Sequence, residues 1–168
     1  VWVSNHRSVD GILAYMRRLG AMVGADDAAR RLCERAQAHL DAVAARAELL
    51  PRRPRVYFEE WDEPNISGIG WVSQLVSIAG GDDVFPELAQ QSLAKDRILA
   101  DPMEPARRAP DIILGSWCGK KFRPAHVAAR PGWSEVPAVR DGELHEVKSV
   151  LILQPGPAAL FEGVDALA

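Results

Sequence analysis

Cysteine is scarce: Cys33 and Cys118 are the only two in 168 residues. Two cysteines give no disulfide framework and no zinc spacing, so both read as unpaired thiols. Long hydrophobic runs are missing too. No stretch approaches the roughly 20 apolar residues that a membrane-spanning helix needs, so no membrane insertion of this segment is expected. Basic excess is absent, with 20 Lys and Arg against 23 Asp and Glu and a formal net charge of -3. That balance gives no electrostatic footprint for nucleic acid. Four histidines, His6, His39, His126 and His145, are scattered without ligand spacing, and no metal site is expected. The P-loop, GxGxxG and GxSxG patterns do not occur. The first residue is Val, with no basic and then apolar leader behind it. The chain therefore reads as a piece of a longer protein, with any targeting signal upstream.

What is present is a core. Hydrophobic residues make up 48% of the chain, enough for one domain or a lobe and a half. Val1-Trp2-Val3 reads as a strand already under way. Ser8 is a good N-cap for a helix carrying Leu13, Met16 and Leu19 and stopped by Gly20. A second helix begins at Asp26 or Asp27. Its apolar stripe is Ala29, Leu32, Ala36, Leu40, Val43, Ala47 and Leu50, and Pro51 closes it. Arg55 to Glu59 reads as a strand, and a loop follows to Gly68. A helix with Trp71, Val72, Leu75 and Val76 comes next, ended by Gly80-Gly81. Asp101-Pro102-Met103-Glu104 starts a further helix. Ile112-Ile113-Leu114 reads as a buried strand, Ala125 to Ala129 as a short helix, and Val136 to Val139 as another strand. Asp141-Gly142 signals a tight turn, with an edge strand from Leu144 to Val147. Val150 to Leu153 is a strand-length apolar run, and a final helix carries Leu160, Phe161, Val164 and Leu167. Strands alternating with helices at this spacing predict an α/β fold: a three-layer, doubly wound parallel sheet.

In such sheets ligands bind outside the carboxyl ends of the strands. The two loops at those ends, after Glu59 and after Leu114, carry Trp61 and Trp117. Trp71 is nearby, and Trp133 precedes a later strand. Large rings at a strand-end crevice suit an apolar, planar or bulky ligand; rings that merely cap the core are the plain alternative. Lys120 and Lys121 could meet a phosphate or carboxylate, or stay solvated. Glu59 and Glu60 are a poor acid/base pair, because neighbours on a strand point to opposite faces.

At these residues the chain resembles a known family. Pro54 to Phe85, PRVYFEEWDEPNISGIGWVSQLVSIAGGDDVF, is similar to the first strand, ligand loop and helix of the carboxy-terminal lobe in periplasmic cobalamin- and siderophore-binding proteins. Pro110 to Leu114 resembles that family's later "PD" strand. Val136 to Leu144, then Pro155-Gly156-Pro157, resembles its closing segment. The resemblance implies two lobes joined by a rigid helix, with residues 1–50 as the end of one lobe plus that helix. Residues 51–168 would be the carboxy-terminal ligand-binding lobe. It implies capture of cobalamin or another metal chelate such as a ferric siderophore, as cargo and with no cofactor. It implies delivery to an ABC permease, and a periplasmic or envelope-anchored location. Carried over, the ligand-facing residues are Glu60, Trp61, Ser67, Trp71, Trp117, Cys118 and Lys120. Two departures stand out: Ala158 follows Pro157 where the family often has arginine, and the closing loop is unusually apolar at Val150 to Leu153. No catalytic residue is expected. The alternative from another class is a small α/β enzyme using Cys118 or Glu60 in a strand-end pocket.

Overall fold

The computed structural model describes residues 3–168. Of the expected opening strand, Val1 and Trp2 lie outside the described residues, and Val3 is exposed and irregular. Helix α1 spans Val9–Met22, and the Ser8 hydroxyl accepts from the Gly11 amide at 3.0 Å, as its N-cap position predicts. Helix α2 spans Asp26–Ala47, about 33 Å at ~1.5 Å per residue. It ends before Leu50 because a residue preceding proline disfavours the helical region, and Leu49 and Leu50 are exposed.

Strand β1 is Arg55–Asp62 and β2 is Asn65–Ser67; α3 is Gly70–Ile78 and β3 is Asp82–Asp83. Short helices α4 (Pro86–Ala89) and α5 (Glu104–Arg107) follow, separated by a 3-10 turn at Ala94–Arg97. Strand β4 is Ile112–Gly115, α6 is Pro124–Ala128, α7 is Pro137–Asp141, β5 is Leu144–Glu146 and α8 is Ser149–Ile152. A π-helical turn, Ala159–Gly163, lies near the end.

The sheet runs β2-β1-β4-β5, with β3 on the same edge of β1 as β2. β1 pairs parallel with β3 and β4, and β4 with β5. The exception to the expected parallel order is β2, which folds back antiparallel on β1 as a hairpin. Side chains alternate across β1. Val56 and Phe58 face a core built with α1, α2, α3, Ile152 and Leu160. Tyr57 faces a second core with Phe85, Ile113, Trp117, Phe122 and Trp133. Two cores on opposite faces make the three layers. Helices α1 and α2 share the first core with the sheet. Cys33 belongs to that contact: it is fully buried, and its thiol donates to the Leu13 carbonyl at 3.5 Å.

One expected element is otherwise, and one unassigned apolar run proves helical. Val136 to Val139 is not a strand. Pro137 opens α7, since proline is preorganised for the first helical position. Val150 to Leu153 is helical through Ile152; a four-residue apolar run cannot be told from a buried helical turn by periodicity.

The α1–α2 contact depends on Gly20, where an added Cβ would lie 2.3 Å from the Ala29 Cβ. Alanine gains about 1 kcal/mol of helix propensity over glycine, but overpacking costs about 1–3 kcal/mol. We expect Gly20→Ala to lower stability in urea denaturation despite its better propensity. Ala29→Gly added to it should return most of the loss. A Gly20→Ala protein as stable as the parent would contradict this contact.

Candidate functional site

β1 and β4 pair in register from Val56↔Ile112 to Glu59↔Gly115, so their carboxyl ends emerge together. β1 continues beyond, through a bulge between Glu59 and Trp61, into the hairpin in which Asp62 pairs with Asn65. From β4 the chain turns at Ser116, whose amide bonds the Glu59 carbonyl at 2.9 Å. Gly115 lets the turn close tightly, because a Cβ there would meet the Phe122 ring at 1.9 Å. Phe122 then packs edge-on against Trp117, with ring centres 5.0 Å apart.

Glu59 lies at the centre of this rim and is 0% exposed. An isolated buried carboxylate is costly, and four donors offset that cost. Arg130 binds it in bidentate fashion at 2.7 and 2.9 Å. The Asn65 amide donates at 2.9 Å and the Trp117 indole at 3.1 Å. Burial alone would push the Arg130 guanidinium down; the hydrogen bonds and charge of Glu59 outweigh it and hold it above its ordinary value. The guanidinium also lies over Trp133, 4.6 Å from the ring centre. Burial first, then the Glu59 charge, pushes the nearby Tyr57 phenol well above its usual range.

Glu60 points to the other face, as alternation requires. Buried Arg97 donates to it at 2.6 and 3.1 Å and also to the Ser67 carbonyl. Leu99 bonds the Asn65 carbonyl at 2.9 Å, and Ile98 bridges to Ile66, so this segment straps the hairpin in place. Lys120, on the loop leaving β4, meets Asp62 at 2.6 Å. Its ammonium lies 5.7 Å from the Trp61 ring centre and 5.1 Å from that of Trp117.

Beside the hairpin opens a cavity of about 440 Å³. Pro64, Leu99, Pro102, Met103, Pro131 and Trp133 form its apolar wall, and Asp62, Glu63, Asn65 and Arg130 are its polar groups. A second cavity of about 310 Å³ lies among Pro54, Val56, Gly81 and Ile112, towards the amino ends of the strands, the wrong end for a ligand in this architecture.

Of the residues expected at the site, Trp61 and Lys120 stand on the rim, and Cys118 is an exposed free thiol on the same loop. Trp117 is within reach of the same ammonium but 4% exposed, so it backs the rim rather than lining it. Glu60 is committed to Arg97. Ser67 is buried, its hydroxyl 3.4 Å from the Arg97 carbonyl. Trp71 lies in the first core, its indole donating to the Ile152 carbonyl at 2.9 Å. Neither presents surface to the rim: Ser67 ends β2 and Trp71 lies in the first turn of α3, and both are buried. Sequence reasoning missed Asp62, Asn65 and Arg130. The available signal was Glu59 itself, an acid inside the apolar run Val56-Tyr57-Phe58, which requires a buried cationic partner.

An open α/β lobe with an aromatic and charged rim at its strand ends is the architecture of a solute-binding domain. Comparison makes this specific: the periplasmic binding protein family matches residues 1–151, and the chain belongs to that family. No curated protein matches it. A possible iron-binding, periplasmic solute-binding protein from Staphylococcus epidermidis superposes with a TM-score of 0.80 at 16% identity, covering 99% of this chain and 65% of that one. IsdE of S. aureus, complexed with heme, gives 0.76 at 17% identity, over 99% and 67%. The periplasmic vitamin B12 binding protein BtuF of Vibrio cholerae gives 0.73 at 16% identity, over 99% and 62%. At these identities the likeness is one of fold. This chain spans about two thirds of the length of each.

Removing Arg130 leaves the Glu59 charge buried with only neutral donors. We expect Arg130→Ala to destabilise the protein by about 3–5 kcal/mol in guanidinium denaturation. Glu59→Gln in the same chain should recover part of that, since the uncompensated charge is gone. A loss below about 1 kcal/mol, the range of an exposed pair, would contradict this reading.

Proposed function

We propose that this chain is the ligand-binding lobe, with its connecting helix, of the substrate-binding component of an ABC import system. Residues 1–50 end the other lobe and supply the connecting helix; residues 51–168 form the lobe that meets the ligand. The cargo is a corrinoid or a related metal chelate, such as haem or a ferric siderophore, held between two lobes and passed to a membrane permease. The protein works outside the cytoplasm, in the periplasm or anchored to the envelope. Among the described residues no helix is long and apolar enough to cross a membrane.

The observation that carries the reading is the rim itself. Trp61, a partly buried indole at the carboxyl end of β1, precedes Asp62, which lines a largely apolar cavity of about 440 Å³. Cavities of ~300–1,000 Å³ with apolar walls and few polar groups are typical of small-molecule sites. The heme and vitamin B12 in the names of the similar structures agree in chemical character. A binding role without catalysis is supported by how the candidate acids are used. Glu59 is held by Arg130 and Glu60 by Arg97, and neither is left free for proton transfer. Among the described residues no acid or histidine hydrogen-bonds the exposed Cys118 thiol, the partner a nucleophilic cysteine would need.

Tryptophan fluorescence of the full-length protein, titrated with cyanocobalamin, haemin and a ferric siderophore, tests this. Saturable quenching by at least one is expected. Trp61→Ala should weaken that ligand by about tenfold or more, as for a central aromatic contact. No quenching by any of the three would contradict the proposal.

A further inference from the structure

We propose that the cavity of about 440 Å³ beside the hairpin is a pocket for a neutral primary carboxamide carried on an apolar body, recognised by Asp62 and Arg130. This deepens the binding reading above, in which the same cavity takes part, by naming the chemistry that fits it.

Asp62 lines the cavity, and its side chain is only 8% exposed. One carboxylate oxygen, Oδ2, accepts from the Lys120 ammonium at 2.6 Å. The other, Oδ1, is buried and has no hydrogen-bond partner among the described residues. A buried acceptor left without a donor is costly, so a ligand that supplies one gains more than an ordinary hydrogen bond. Lys120 already balances the charge of Asp62, and a neutral N–H satisfies Oδ1 without burying a second cation.

Arg130 lines the same cavity. A guanidinium has five N–H donors. Glu59 takes one from each terminal nitrogen of Arg130, at 2.7 and 2.9 Å, which leaves donors for a ligand oxygen. Against burial, the hydrogen bonds and charge of Glu59, then the charges of Tyr57 and Asp62, hold this guanidinium above its ordinary value. Asp62 is thus within electrostatic reach of Arg130. An acceptor and a donor facing one cavity complement a primary carboxamide, whose N–H meets Asp62 and whose carbonyl meets Arg130. An ester lacks the N–H. A carboxylate lacks it too, and brings a negative charge against Asp62 and against Glu63, an exposed residue at the same cavity. Leu99, Met103, Trp133 and three prolines supply the walls for the apolar body. Two sources carry this group: an amide arm of the cargo, and a small free aromatic amide.

NMR titration of the nitrogen-labelled full-length protein with benzamide, methyl benzoate and benzoate tests this. The signals to follow are the Trp133 indole N–H and the Asn65 side-chain amide, both at the cavity. Benzamide should shift both saturably at about millimolar concentration, as befits a fragment of its size. Methyl benzoate and benzoate should bind about tenfold more weakly. In Asp62→Asn, Lys120 keeps the side-chain oxygen, so the new amide nitrogen stands where Oδ1 was. The order should then reverse, with methyl benzoate binding more tightly than benzamide; a merely structural role for Asp62 would weaken both alike. The amide-to-ester ratio of the parent needs no variant, and it decides the matter if Asp62→Asn folds poorly. Saturation with whichever of cyanocobalamin, haemin and a ferric siderophore quenches the protein then identifies the source. Displacement of benzamide assigns the pocket to the cargo, and simultaneous binding assigns it to a separate small amide. Equal affinities for amide and ester, or no saturable shift with benzamide, would overturn the pocket and leave the binding function standing. Benzamide binding without quenching by any of the three cargoes would overturn the binding function and leave the pocket standing.

Discussion

A carboxylate buried in the second core has to be satisfied there, and the way Glu59 is satisfied shapes the rest of the rim. Its four donors come from three separate segments. Asn65 belongs to the hairpin strand β2, Trp117 to the loop after β4, and Arg130 to the segment after α6. None of these segments is long or strongly apolar by itself. Each is tied to the others through one acid, and the low-dielectric surroundings make those bonds strong and their loss costly. The hairpin and the loop therefore take up fixed positions next to each other, which sets Asp62 within reach of Lys120.

The two faces of β1 divide the work. Residues facing α1, α2 and α3 build the larger core, and Trp71 is spent on it. Residues on the opposite face build the core beneath the cavity, and Trp133 is spent there as a support for Arg130. Adjacent acids follow the same alternation: Glu59 joins the second core, and Glu60 turns to Arg97 and helps to strap the hairpin. Ion pairs at this depth contribute less to net stability than to fixing one arrangement. That suits a surface that must meet its ligand already formed, since preorganisation lowers the cost of binding.

Much of the architecture was legible because local signals agreed with it. Ser8 caps α1, the stripe from Ala29 to Val43 marks α2, and the apolar runs at Val56 and Ile112 become neighbouring strands. Local pattern failed where two structures share one signal, as at Pro137, equally at home before a strand or at the start of a helix. The site was legible only in outline. Strand-end loops could be located, and Trp61 and Lys120 with them, from periodicity and the rule for parallel sheets. The contacts that organise them could not, because Arg130 lies 71 residues from Glu59 and Arg97 lies 37 from Glu60. Pairings at such separations leave no periodic trace. Burial of a tryptophan is likewise decided by which face its neighbours cover, so Trp61, Trp71 and Trp117 look alike in sequence and differ in the fold.

Hydrogen exchange in a Glu59→Gln protein addresses the organising role of this acid most directly. If one carboxylate holds the rim, the amides of the hairpin around 62–66 and of the loop around 116–122 should lose protection together, while α1 and α2 keep theirs. Parent-like protection in both segments would contradict the account and leave Glu59 as one more buried polar group.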